Sequence, residues 1–115
     1  MRIVKKQIPI FFGFLRIIIA NDFVKATQEI SYQPPFDVSK FDAFVYSDYT
    51  KKGYGRFTVF FNPKATESVI AHEVVHLVNA VFIHTHMNLD PHYDEPQAYL
   101  TGWMTRQIYK ALKHK

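Results

Sequence analysis

The sequence predicts a small α+β domain, a mainly antiparallel sheet packed on two long helices. Three observations lead there. The first half alternates short runs of Ile, Val, Phe and Tyr with turns containing Gly and Pro, which is strand and hairpin composition. The second half carries two stretches, 62–82 and 94–115, whose apolar residues recur at helical spacing. At 115 residues, 48% of them hydrophobic, the chain makes one domain (1–115) with a modest core.

Taken in order, Met1 to Leu15 begins like a secretory leader, with Lys5 and Lys6 before an apolar run. Arg16 interrupts that run and no small-residue cleavage site follows, so no leader is expected. No stretch reaches the roughly 18 uncharged apolar residues of a spanning helix. The expectation is therefore a cytoplasmic chain without a membrane partner. Ile8 to Ile19, interrupted by Pro9 and Gly13, reads as a strand pair kinked at Gly13 or one long bent strand. Asn21-Asp22 suits the N-cap of a short helix, Phe23 to Ile30, which Pro34-Pro35 keeps from continuing. Phe41–Tyr46 and Arg56–Phe61 then form a hairpin, joined by a polar turn with Gly53 and Gly55. Its edge could offer main-chain groups to an extended peptide.

Asn62-Pro63, or alternatively Thr66, opens the central helix. Inside its apolar run stands His72-Glu73-Val-Val-His76, an H-E-x-x-H pattern. A shuffled chain of this composition contains one about once in a hundred. Residues i and i+4 differ by about 40° of rotation and about 6 Å of rise, so both imidazoles leave one face and can grip one tetrahedral metal. Glu73 stands about 100° round from His72, placed to take a proton from water on that metal as the water attacks a carbonyl. A helix this apolar would bury three polar groups at a cost of about 1–3 kcal/mol each unless they share a polar site.

With no cysteine, any metal must be held by His and carboxylate. A catalytic zinc needs a third protein ligand. Glu95, Asp94, Asp90 and the linker residues His84, His86 and His92 are the candidates. Glu95 is preferred because it begins the last helix, a rigid mount on a chain returning toward the pair. Asp94 with Gln97 gives that helix a capping-box start, and Trp103, Met104, Ile108 and Leu112 its apolar side. The net charge of +4 is dispersed, with no basic stripe among aromatics, so no nucleic-acid partner is expected.

His72-Glu73-x-x-His76, eighteen residues, then Glu95 resembles the gluzincin group of zinc metallopeptidases. Asp94-Glu95-x-x-Ala98-Tyr99 is similar to the group's acidic-helix signature, with Asp94 where Asn often stands. The order of elements looks most like the single-domain minigluzincins and small phage-type peptidases, a minimal zincin fold. The resemblance implies one zinc per chain held by His72, His76 and Glu95, with Glu73 as general base and Asp94 orienting a ligand imidazole. It implies hydrolysis of a peptide or protein substrate. Thermolysin-like enzymes add a downstream domain with an oxyanion-stabilising His. None is expected in the twenty residues after Glu95, which leaves Tyr93, Tyr99, His86 or His92 for that task. Two alternatives accompany this reading: a weakly active or inactive zinc-containing binding module on a peptidase scaffold, and a metallopeptidase that clips repressors of mobile elements.

Overall fold

Strand β1 (Arg2–Ile8) turns back into β2 (Gly13–Ile19), and α1 (Phe23–Glu29) follows. A single 3-10 turn over Val38–Lys40 leads into β3 (Ala43–Tyr49) and β4 (Gly55–Phe61), then α2 (Glu67–His84) and α3 (Glu95–Lys113). This architecture comes from a computed structural model that describes residues 1–113. The expected continuation of the last helix to Lys115 lies outside the described residues.

The four strands are ordered β1-β2-β4-β3. The outer pairings, β1 with β2 and β3 with β4, are antiparallel, and the central β2–β4 pairing is parallel. The sheet is thus mainly antiparallel, as the sequence predicts, around a parallel centre that it does not. Ile17, Ile18 and Ile19 explain why β2 is central: alternate side chains point to opposite faces, and all three are buried. Leu15, Ile17, Ile19, Phe57, Val59 and Phe61 face α2 and α3 in one core. Ile18, Phe44 and Phe60 face α1 in a second, smaller one. Beside that smaller core, buried Arg16 donates from Nε to Thr58 Oγ1 at 3.1 Å and from its guanidinium to the Tyr46 hydroxyl.

The kink expected at Gly13 lies one step earlier, in the turn 9–12. Ile10 and Phe12 there have φ of 71° and 53°, left-handed geometry that costs an L-residue on the order of 1–2 kcal/mol. Gly13 has a different task. A Cβ on it would lie 3.0 Å from the Gly55 carbonyl oxygen and 3.1 Å from the Phe57 ring, so its missing side chain admits the parallel strand. The cap choices resolve as Asp22 for α1, accepting from the Lys25 amide at 3.2 Å, and Thr66 for α2.

The long helices run antiparallel on one face. Phe61 ends β4 just before α2 begins, and its register partner Ile19 pairs in turn with Arg2. The Arg2 guanidinium donates to the Ala111 carbonyl near the end of α3. The end of α3 therefore lies beside the start of α2. Among the described residues no helix is long and apolar enough to cross a membrane.

Two glycine substitutions separate packing from propensity. Gly13→Ala is expected to lower stability by about 1–3 kcal/mol, because the clash is with backbone. Gly102→Ala, within α3 with nothing within 4 Å of the added carbon, is expected to raise it by about 0.5–1 kcal/mol. Urea unfolding of the two variants checks both signs.

Candidate metal and acid–base site

Ile70, Val74, Leu77, Val78 and Val81 form the buried stripe of α2. Their packing on the sheet fixes how the helix is rotated about its axis. His72 and His76 consequently fall outside the stripe, toward the free edge of β3, while Glu73 falls at its border. The two imidazole Nε2 atoms are 3.2 Å apart. Two ligands about 2.0–2.1 Å from one tetrahedral zinc stand about 3.3–3.4 Å from each other, so the pair is set at the bite of a shared ion. The same separation also suits an N–H···N hydrogen bond between one protonated and one bare ring nitrogen.

Glu73 differs from its neighbours in burial. Its side chain is 7% exposed and that of His72 69%, with Glu73 Oε2 3.8 Å from His72 Nε2. The burial argument made from sequence therefore applies to Glu73, and the imidazoles are open to solvent. Burial pushes the Glu73 carboxyl above the usual carboxylate range, against the opposing pull of His72 and His76. A carboxylate in this condition is a stronger base than a free one.

These three side chains line a groove between α2 and the β3 edge. One part, about 450 Å³, includes Val45, Tyr46, Ser47, Asn79 and Ile83. A second part continues past His72 and Glu73 to Lys40, Asp42 and Ser68. It adjoins a cavity of about 520 Å³ through Phe41, Asp42 and Val69. That cavity lies where β2 and β4 end and the caps of α1 and α2 begin. Asn79, one turn beyond His76 on the same face, is one of the polar groove residues that sequence reading passed over, with Ser47, Lys40, Asp42 and Ser68. The signal for Asn79 was present as i+3 from a proposed ligand.

Glu95 stands elsewhere. It is exposed, opens α3 and lines neither part of the groove. The cause is axial. The helix α2 continues for eight residues beyond His76 before the chain turns, which is about 12 Å of rise, and antiparallel α3 starts at that far end. Among the described residues no group of three or more His, Cys, Asp or Glu is placed to hold a metal. Asp90, Asp94, His86, His92, Tyr93 and Tyr99 are exposed and also outside the groove. His84 proves to be the last residue of α2, its Nε2 3.1 Å from Ser47 Oγ. Scans against protein-family models, curated proteins and solved structures found no match to the chain.

The raised Glu73 pKa has a signed consequence for stability. The folded state holds that proton more tightly than the unfolded state, so the associated stability is full below the ordinary carboxylate range. It is lost as pH rises through the elevated folded value. In the presence of a chelator, Glu73→Gln is expected to melt above wild type at neutral pH and to converge with it as pH falls through the carboxylate range. Thermal unfolding across that pH interval reads the difference.

Proposed function

We propose that the chain is a zinc-dependent peptidase with Glu73 as its general base. The observation that carries this reading is the pair of imidazole nitrogens at metal-bite separation beside a buried carboxylate. Zinc held there would supply a Lewis acid that polarises the scissile carbonyl and lowers the pKa of water. The remaining work falls to side chains of the groove. Glu73 accepts a proton from the attacking water and passes it to the leaving amine. The edge of β3, with β4 on only one side, hydrogen-bonds an extended peptide and aligns it over the pair. Asn79 donates from its amide toward the carbonyl oxygen where negative charge develops.

In this proposal Glu95 is the third ligand, and it must travel to the pair. Residues 86–96 are all exposed. Moving this connection and the first turn of α3 therefore breaks little packing, which is the condition for low-cost local rearrangement. The separation of Glu95 from the imidazoles also favours a second reading, a zinc-containing binding module that has no use for Glu73.

Elemental analysis and peptide hydrolysis separate the two. One zinc per chain is expected in wild type and in Glu73→Gln, with hydrolysis lost only in the latter. His72→Ala, His76→Ala and Glu95→Ala are expected to lose the metal. Asn79→Ala is expected to lower kcat by about 10²–10³ with KM little changed. Zinc retained in Glu95→Ala would remove Glu95 from the donor set, full hydrolysis by Glu73→Gln would remove Glu73 as the base, and zinc bound by wild type without hydrolysis would leave the binding module.

A further inference from the structure

The turns at the opposite end of the sheet from the helix caps carry a second feature, independent of the groove. The register sets Gly13 opposite Gly55 and Tyr49 opposite Gly55, so the β1–β2 and β3–β4 turns stand side by side. The Phe14 and Tyr54 rings meet edge to face at 5.9 Å. In the first turn Ile10 is 73% exposed and Phe12 77%, while Phe11 between them is buried, 6.0 Å from the Phe82 ring. Both exposed residues hold positive φ. Bulky and β-branched side chains avoid that region, so strain is retained here with two large apolar groups in water. Across from them Tyr49 and Tyr54 are 62% and 47% exposed, and Lys51 and Lys52 form the exposed tip between them.

We propose that this end docks on an anionic lipid surface, with Ile10 and Phe12 entering the acyl boundary, Tyr49 and Tyr54 at headgroup level, and Lys51 and Lys52 against the headgroup phosphates. The chemistry of each position fits its depth. Aliphatic and phenyl groups gain by leaving water, tyrosines prefer a surface that is apolar on one side and wet on the other, and lysines are drawn to anionic headgroups. Neither turn carries a carboxylate, and the nearest along the strands, Asp48, is paired with Arg56 at 2.8 Å. The sequence led to the expectation of no membrane partner, on the ground that no apolar stretch is of spanning length. A peripheral contact needs no such stretch, and the proposal departs from that expectation.

Flotation of the full chain with phosphatidylcholine vesicles, and with vesicles that also contain phosphatidylserine, tests the proposal. Binding is expected only to the anionic vesicles and is expected to weaken with salt. Lys51→Glu and Lys52→Glu are each expected to reduce it by at least about fivefold. Ile10→Asn with Phe12→Asn is expected to reduce it too, and asparagine tolerates the left-handed backbone, so the fold is kept. In Phe12→Trp, emission is expected to shift to the blue on adding the anionic vesicles. No binding by wild type, equal binding to neutral vesicles, undiminished binding by either class of variant, or an unshifted Phe12→Trp emission would overturn it.

Discussion

The rotation of α2 about its axis is the constraint on which the groove depends. Ile70, Val74, Leu77 and Val81 repeat at i, i+4, i+7 and i+11, and all are buried against the sheet. Once that stripe is seated, 100° per residue leaves no freedom for the polar positions. Glu73 must lie at the rim of the stripe, shielded by it, and His72 and His76 must lie beyond the rim. One helix thus supplies a poorly solvated base and two well-solvated donors within a few ångströms. The difference between them comes from angle alone, since all three sit within five consecutive residues.

That angular logic is local, and local features were the ones legible in the chain. Asp22 and Thr66 act as caps because their side-chain oxygens reach an amide three residues on, a relation visible in any sequence. The β3–β4 hairpin likewise announced itself through Gly53 and Gly55. Strand β1 was hidden because it lies at a sheet edge. Its three consecutive exposed residues Lys5, Lys6 and Gln7 break the alternation that marks a strand with one buried face, so the strand reading begins only at Ile8. The parallel pairing of β2 with β4 joins residues about 42 apart, and neither strand's composition names its partner. Only Gly13 hints at it, through a missing Cβ whose reason appears once Gly55 is beside it.

Glu95 shows why a correct residue count can mislead. Eighteen intervening residues specify a contour length, whereas a ligand must match the pair in height along the helix. The height depends on how those residues divide between helix and connection. Here α2 takes eight of them and the connection ten before Glu95. The division is decided by Val81 and Phe82, which keep α2 helical by burying against the sheet and Phe11. Packing at one end of the helix therefore displaces a carboxylate at the start of the next.

The electrostatics of the bare groove point the same way as its geometry. Two ring nitrogens at 3.2 Å cannot both present lone pairs, or both present protons, without repulsion. The buried Glu73 carboxyl holds its proton more tightly than in water. A divalent cation between the imidazoles would relieve both conditions at once, by accepting both lone pairs and by stabilising the ionised carboxylate nearby. The backbone of α2 already holds these groups in place through its apolar stripe, so the cost of assembling them was met in folding. For the zinc binding proposed above, what would remain is to recruit a further donor from the exposed connection that follows. The zinc site proposed above would thus be divided between a preorganised half fixed by packing and a second half drawn from an exposed connection.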